Sequence, residues 1–322
     1  MLTRRQLPVT LFGGLLAGRG AVTREDPPAE TRATGVTRLV VGGDVMLSRH
    51  VGRLARQKKD AAWPFREIAP FLAAADVAFV NLESPFSDRG RRVEKGMVFK
   101  AEPEMIEGLR LAGIDVVSTA NNHARDCGGY GLEYTLRWLD AGGIKAAGTA
   151  LDESDLGDGV VVERNGVRFG FLAYTYDQAN GNHPKPDPRV AMLDVERMRG
   201  DVARMRSRAE VVLVSMHAGD EYRAKPGTPQ VRFAQAAIDA GASVVAGHHP
   251  HVVQPSERYR EGVIFYSLGN LVFDQFHRQD TQKGMLACVT FRGSAMERVE
   301  RWPVDIVGVV PRLASKEPEV LG

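Results

Sequence analysis

The chain has 322 residues, of which 43% are hydrophobic and 25% are charged, so it is long enough to bury a substantial core as one domain. Its 42 basic residues nearly balance its 40 acidic residues, and no basic stripe is interleaved with aromatic residues, which argues against a nucleic-acid partner. The two cysteines, Cys127 and Cys288, lack the spacing of a cysteine metal site, and we expect small buried thiols. A thiolate ligand at Cys127, beside the His123 loop, and a disulfide between the two cysteines are the alternatives.

The first element in the chain is a predicted export signal. Two adjacent arginines precede a short apolar stretch at residues 9–17, which is too short to span a bilayer as an anchor. Residues 1–20 are therefore predicted to be a removed signal peptide, and the paired arginines favour the twin-arginine route over the general one. A flexible linker is expected over residues 21–36 and a single domain over 37–322. The protein is expected to work in the periplasm or elsewhere in the extracytoplasmic cell envelope.

Strand and helix patterns then alternate along the chain. Apolar β-branched runs predict strands, and apolar residues at helical spacing predict helices. The strands are predicted at residues 37–41, 77–80, 114–119, 145–148, 160–163, 167–173, 211–216 and 243–246. The helices are predicted at residues 104–112, 130–141, 195–206 and 230–240. This alternation predicts an α/β fold with crossover connections and a substantially parallel sheet.

Other segments predict antiparallel pairing. Asn165 and Gly166 separate two of the strands, and Asn-Gly readily adopts the positive φ angles of a two-residue hairpin turn. Three stretches near the C-terminus, residues 262–267, 285–291 and 299–306, are expected to be further antiparallel strands.

Five of the predicted strands deliver a metal-competent side chain at their C-terminal end. The strongest case is residues 247–251, which hold three of the eight histidines directly after an apolar run. In α/β sheets, ligands bind beyond the carboxyl ends of the strands, because the loops there converge. Neutral imidazoles and carboxylates are good ligands for divalent transition metals. The sequence therefore predicts one shared metal site.

Six short motifs also occur in a specific order between about Leu39 and Gln275. They are residues 43–47 with Arg49, 81–85, 121–123 with Asp126 and Gly128, 217–222, 247–252 and 266–275. Together they resemble the CapA family, which is linked with poly-γ-glutamate capsule synthesis and lies within the calcineurin-like metallophosphoesterase superfamily. The resemblance implies a four-layer αββα sandwich like that of the metallophosphoesterases.

The resemblance further implies a site for one or two divalent ions, bridged by the carboxylate of Glu83. Manganese, iron and zinc all suit such oxygen- and histidine-rich ligation. The other implied ligands are Asp44 for the first ion, Asn122 and His217 for the second, and His249 and His251 as caps, with His248 as an alternative.

One departure from the superfamily pattern concerns the first ion. The superfamily usually begins with Asp-x-His, whereas Met46 stands two residues after Asp44. His50 is a conceivable replacement. A mononuclear site is the alternative, built from Glu83, Asn122, His217 and His249.

Catalytic and substrate-binding roles are also implied by the resemblance. His123 would act on the substrate as a general acid or transition-state donor, oriented by Asp126. An anionic substrate would meet basic and polar groups that either bind it or position the ligands around it. These groups are Arg49, Lys100, Asn121, Glu221, Tyr222 and Asn270.

These features favour an exported, metal-dependent hydrolase of the phosphoesterase type that acts in capsule or poly-γ-glutamate synthesis. Its substrate would be an anionic small molecule or polymer, either a phosphoester or polyglutamate, and membrane synthases are expected partners. Two alternatives use the same fold. One is a non-catalytic assembly or polymer-handling protein, and the other is a metal-assisted acid–base enzyme that hydrolyses or epimerises a peptide.

Overall fold

The computed structural model of the protein describes residues 35–89, 97–181, 183 and 185–322. The predicted signal peptide and nearly all of the predicted linker lie outside these ranges, so both stay predictions. None of the helices in the described ranges combines the length and the apolar character that crossing a membrane requires.

The strands and helices follow one another in the alternating order that the sequence predicts. The strands are β1 (Val36–Val45), β2 (Val77–Leu82), β3 (Val116–Ser118), β4 (Lys145–Ala147), β5 (Val160–Arg164), β6 (Val167–Thr175), β7 (Val211–His217), β8 (Val244–His248), β9 (Ser256–Tyr259), β10 (Gly262–Phe265), β11 (Asn270–Val272), β12 (Lys283–Arg292), β13 (Ala295–Val307), β14 (Val310–Leu313) and β15 (Glu319–Val320). The helices are α1 (Arg49–Lys58), α2 (Ala69–Ala73), α3 (Ile106–Leu111), α4 (Gly128–Ala141), α5 (Val195–Arg206) and α6 (Thr228–Asp239).

The first sheet is mixed, with strand order β14-β13-β12-β1-β2-β3-β4. The strands β1 to β4 pair in parallel, as crossover connections require, whereas β12 to β14 pair antiparallel. The short strand β11 lies parallel to the end of β1 and places Asn270 opposite Asp44. This sheet therefore brings two polar residues from distant parts of the chain to one edge.

The second sheet has the order β5-β6-β7-β8-β10-β9. The strands β6, β7, β8 and β10 are parallel, and the predicted Asn165–Gly166 hairpin joins β5 to β6. The prediction for residues 262–267 was wrong in part, because β10 is antiparallel to β9 but parallel to β8. In the chain, β9 lies between β8 and β10. The parallel pairing of β8 with β10 could therefore not be inferred from strands that are consecutive in the sequence.

Three apolar clusters hold the layers together. The two sheets face each other through side chains such as Phe79 and Phe171, whose stacked rings are 5.7 Å apart. The outer face of the first sheet packs against α1 to α4. The outer face of the second sheet packs against α5 and α6. Alternating strand residues point to opposite faces, so each sheet is covered on both sides. The predicted αββα sandwich is confirmed.

Both cysteines are buried within this sandwich, at the N-terminus of α4 for Cys127 and within β12 for Cys288. The expected small buried thiols are thus confirmed.

Two glycines let the backbones at the site approach closely. A Cβ on Gly43 would lie 2.0 Å from the carbonyl oxygen of Gly269, and one on Gly247 would lie 1.9 Å from that of Tyr266. These residues directly precede Asp44 and His248. Only glycine fits such contacts, so the two strand ends depend on it.

Replacing Gly43 by alanine is expected to lower the free energy of unfolding by about 3 kcal/mol or more, because backbone atoms must move apart. Urea denaturation would measure the loss. Gly200 in α5 provides the matched control, since its added Cβ would lie 3.6 Å from the Arg204 guanidinium. Gly200→Ala is expected to stabilise the helix by up to about 1 kcal/mol. Equal destabilisation by both variants would contradict the steric argument.

Candidate metal centre

The polar residues predicted at strand ends lie together where the two sheets present their C-terminal edges. Asp44 lies near the end of β1, Glu83 directly follows β2, and His217 ends β7. The loop after β3 and the end of β8 supply the rest. Each of these side chains is at most 4% exposed, and together they are Asp44, Glu83, Asn122, His123, His217, His248, His249 and His251.

Two overlapping groups of side chains have metal-ligating geometry. The first comprises Glu83, His249 and His251, and the second comprises Asp44, Glu83 and His217. Within each group the ligand atoms lie within 4.8 Å of one another. Glu83 belongs to both, which is the position a bridging carboxylate needs. Asp44 and His217 share one group, whereas the sequence assigned them to different ions.

The Asp44 carboxylate is contacted by groups from β2 and from the end of β8 and the loop that follows it. Oδ1 accepts from the Asn81 side-chain amide at 2.8 Å, and Oδ2 accepts from the backbone N–H of His249 at 3.2 Å. Nδ1 of His248 lies 3.4 Å from Oδ1, and Nδ1 of His251 lies 3.3 Å from Oδ2. Burial raises the pKa of this carboxyl, but the hydrogen bonds and charges of His248 and His251 outweigh burial and hold the pKa well below its usual range. Asp44 is therefore an anion at neutral pH.

Imidazoles from the opposite sheet lie beside Asp44. Met46 is buried apolar core, and the His50 ring packs edge-on against Phe276 at 5.5 Å. His248 instead lies beside Asp44, with its ring centroid 6.2 Å from that of Phe79. His50 thus lies on the outer rim, whereas His248, at the end of β8, lies beside the end of β1.

A second carboxylate of the site, Glu83, lacks hydrogen-bond partners among the described residues. It is fully buried, and among the described residues neither of its oxygens has a hydrogen-bond partner. The nearest imidazole nitrogens, on His251, His123 and His217, lie 3.8, 3.9 and 4.0 Å from Oε1. Burial, reinforced by the negative charge of Asp44, raises the pKa of Glu83 well above its ordinary value. A buried carboxylate without partners is costly unless it binds a proton or a cation.

Two of the histidines are held neutral. Burial, together with the nearby His249, lowers the pKa of His217 well below its ordinary value. Burial, together with His251, lowers the pKa of His249 to about 3. Neutral imidazole is the form that binds metal, so His217 and His249 can each offer a nitrogen lone pair to an ion.

The His123 side chain is fixed by two contacts. Its Nδ1 lies 2.6 Å from Oδ2 of Asp126, and its ring stacks on Phe99 at 3.9 Å between centroids. Asp126 also accepts from the backbone N–H of Phe99 at 2.6 Å. Burial raises the pKa of Asp126, although the hydrogen bond from His123 opposes the shift. With Nδ1 engaged, His123 presents Nε2 to Glu83 and the cluster.

Three asparagines hold the ligands and their loops. Oδ1 of Asn122 lies 2.8 Å from Nε2 of His217, and Oδ1 of Asn270 lies 3.0 Å from Nδ1 of His251. The Asn121 amide donates to the backbone of Leu82 at 2.8 Å, while its oxygen accepts from the backbone N–H of His123. Asn121 and Asn270, predicted to bind substrate, are thus engaged within the protein. Their contacts position the loops and His251.

The other predicted substrate-binding residues lie on the rim. Arg49 forms a salt bridge with Asp274, and its guanidinium lies 4.9 Å from the centroid of Phe99. Lys100 lines the same groove as Arg49. Tyr222 has its ring 6.3 Å from that of His251, and burial, aided by exposed Glu221, raises its pKa to about 12.

Three residues to which the sequence assigned no individual role also belong to the site. Asn81 bridges the cluster, because its amide nitrogen contacts both Asp44 and, at 3.3 Å, Nδ1 of His217. A polar residue at the end of an apolar strand was the available signal. Phe99 supports His123 from a loop without any recognisable pattern. Tyr176 follows β6 and lies 4.7 Å from the His249 ring, and its position after a strand could have marked it.

The fold and the site define an α/β protein with two sheets and a buried carboxylate–imidazole centre at their common edge. Comparison with known families is specific: the sequence model described as bacterial capsule synthesis protein PGA_cap matches residues 38–275. The chain belongs to this family.

Two relatives found by sequence agree with the family assignment. The PGA biosynthesis protein CapA of Bacillus subtilis (strain 168) is 31% identical over 313 residues, covering 96% of this chain and 81% of the relative. The capsule biosynthesis protein CapA of Bacillus anthracis is 31% identical over 257 residues, covering 77% of this chain and 62% of the relative. A solved Staphylococcus aureus structure, named as a candidate 5′-nucleotidase in complex with α-ketoglutarate, aligns with a TM-score of 0.48 at 14% identity, covering 88% of this chain and 56% of that one.

Proposed function

We propose that this protein is an exported, metal-dependent hydrolase of the phosphoesterase type that serves capsule or poly-γ-glutamate synthesis. The observation that carries the proposal is the buried Glu83 carboxylate, unsatisfied among the described residues and surrounded by imidazoles. The names of the CapA relatives supply the biological setting. Action in the cell envelope alongside membrane synthases is part of the same proposal.

The donor set fits one or two divalent transition-metal ions. Glu83, Asp44 and the neutral imidazoles of His217 and His249 offer the oxygen and nitrogen ligands that manganese, iron and zinc accept. The lone pairs of the orphaned Glu83 oxygens and of Nδ1 of His249 would find a partner in such an ion. Asn122 and His251 would complete the set.

When bound, the metal would lower the pKa of a coordinated water and polarise the substrate's phosphoryl oxygen. The chain's own residues supply the remaining functions. Nε2 of His123 would donate a proton or hydrogen bond to the departing oxygen, while Asp126 keeps Nδ1 engaged. Arg49 and Lys100 would orient the anionic substrate at the mouth of the site.

A non-catalytic role on the same fold is the second candidate. The observation that favours it is the absence of a histidine two residues after Asp44, where buried Met46 packs into the core. A site lacking that ligand would bind polymer without turning it over. A peptide-directed acid–base reaction at His123 uses the same residues and is distinguished by substrate.

Metal analysis combined with substrate assays tests the proposal. Protein purified after growth with manganese, iron and zinc is expected to retain at least one ion per chain, and chelation is expected to abolish hydrolysis of phosphomonoesters or phosphodiesters. Protein that binds metal and polyglutamate yet hydrolyses no phosphoester would establish the polymer-handling role. Cleavage of a glutamyl peptide instead would establish the amide reaction. Protein without metal would overturn the proposal.

A further inference from the structure

The segment that follows β11 packs against the side of the candidate metal centre. Phe273 has its ring 4.8 Å from that of His251 and 5.9 Å from that of Phe99. The next residue, Asp274, has a side chain that is only 5% exposed and that faces the start of α1. A buried carboxylate is costly unless it is paired, and Asp274 finds its partners on this helix.

The Asp274 carboxylate fixes the first turn of α1. Its Oδ2 accepts from the backbone N–H of His50 at 3.0 Å and from Nε of Arg49 at 3.3 Å, and its Oδ1 pairs with Nη2 of Arg49. Asp274 caps the helix from outside, because the N-cap residue Ser48 makes no side-chain cap hydrogen bond. Arg49 has a left-handed backbone, with φ of 49°, which needs support from its surroundings. Asp274 supplies that support.

The start of α1 also holds the loop that carries Phe99. The hydroxyl of Ser48 accepts from the backbone N–H of Lys100 at 2.9 Å, so the residue before the helix is tied to that loop. The guanidinium carbon of Arg49 lies 4.9 Å from the centroid of the Phe99 ring. Phe99 is 1% exposed, and a ring in a close-packed interior follows its neighbours when they move. The position of Phe99 therefore depends on Arg49.

Phe99 in turn contacts both members of the His123–Asp126 pair. Its ring stacks on the imidazole of His123 with 3.9 Å between centroids and an interplanar angle of 25°. Its backbone N–H donates to Oδ2 of Asp126 at 2.6 Å, the same oxygen that lies beside Nδ1 of His123. A shift of Phe99 would move both the imidazole and the carboxylate that orients it. The set of contacts that begins at Asp274 therefore ends at His123.

We propose that Asp274 is a positioning residue for His123. It acts through the guanidinium of Arg49 and the ring of Phe99. The kinetic consequence rests on the proposed function, in which His123 delivers a proton. Asp274 occupies Nε and Nη2 of Arg49, whereas Nη1 meets only the weak acceptor Sδ of Met97, at 2.8 Å in an exposed contact. Arg49 can therefore support Phe99 through Asp274 and still offer Nη1 to an anionic substrate.

The variant Asp274→Asn tests the kinetic consequence, because asparagine keeps the size of the side chain but loses its charge. The kcat for phosphoester hydrolysis is expected to fall about tenfold, since a misplaced general acid loses much of its effect, while KM stays within about twofold of wild type. If Asp274 only competed with substrate for Arg49, the variant would instead show a lower KM and an unchanged kcat. That result would overturn the proposal.

The position of His123 can also be measured without turnover. Imidazole ¹⁵N NMR of the full-length protein, metal-free and after addition of diamagnetic zinc, reports the environment of each ring nitrogen. The signals of His123 are assigned by their loss in His123→Gln. In Asp274→Asn they are expected to shift or broaden, because the ring is no longer held in one position. Unchanged His123 signals in this variant would overturn the proposal.

The matched control is Asp115→Asn at the N-terminal end of β3, away from the site. Asp115 also pairs with an arginine, Arg164 at 2.8 Å, and accepts from a backbone N–H, that of Ala78 at 2.9 Å. This variant is expected to lose comparable stability in thermal melts while kcat and the His123 signals stay as in wild type. Equal changes in both variants would show a general loss of packing and overturn the proposal. Wild type without phosphoester turnover would contradict the proposed hydrolase alone, because the His123 signals would still decide whether Asp274 positions this side chain.

Discussion

Replacing His123 by glutamine is expected to reduce phosphoester turnover by about a hundredfold to ten-thousandfold, the usual contribution of a positioned general acid or base. Glutamine is neutral and of similar size, so it preserves packing against Phe99 but cannot deliver a proton. His123 lies at the edge of the metal cluster and belongs to neither ligand group, so bound metal is expected to remain unchanged. Steady-state kinetics and metal analysis of the same preparation measure both effects.

Two further variants are compared with His123→Gln. Asp126→Asn is expected to lower kcat less than His123→Gln while leaving KM nearly unchanged, because Asp126 acts by positioning His123. His277→Gln replaces an exposed histidine on the loop after β11 and is expected to leave turnover unaffected. Loss of metal together with turnover in His123→Gln would show that the histidine is a ligand and that its assigned role is mistaken.

Much of the fold could be predicted from the sequence because the strands are apolar on both faces. Both sheets are covered on each side, so β1, β2, β7 and β8 appear as continuous apolar runs that end in polar residues. The strand β11 has only three residues and no such run. It forms because the Gly43 and Gly269 backbones can approach closely, which is a property of three-dimensional packing.

The sequence predicted which residues form the candidate site better than it predicted how they are arranged. Strand ends brought Asp44, Glu83 and His217 together, as convergence at the sheet edge requires. The role of His248 was left as an alternative, because its contact with Asp44 depends on how two sheets pack against each other. Phe99 could not be identified, since a stacking partner in a loop leaves no periodic signal.

Replacing Glu83 by glutamine is expected to weaken metal binding at least about a hundredfold, equivalent to about 2.7 kcal/mol, because the only carboxylate shared by both ligand groups is lost. Titration of metal-free protein with manganese and zinc measures the change. The matched control is Glu257→Gln. Glu257 lies on β9, accepts a hydrogen bond from the Tyr266 hydroxyl and belongs to neither ligand group. Its metal affinity is expected to equal that of wild type.

The same substitution is expected to have the opposite effect on the metal-free protein. Burial and Asp44 raise the pKa of Glu83 above its unfolded value, so its stabilising contribution is complete below about pH 4.5 and is lost as pH rises through the folded pKa. Glutamine does not titrate. The melting temperature of metal-free wild type should therefore fall relative to metal-free Glu83→Gln as pH rises above about 4.5. The pKa values of His217 and His249 are lowered in the folded state, so wild type and Glu83→Gln both lose stability as pH falls below about 6.5. This trend is shared, so it largely cancels in the difference between their melting temperatures. A difference independent of pH, with metal affinity unchanged, would mean that Glu83 is paired in solution and is not a ligand.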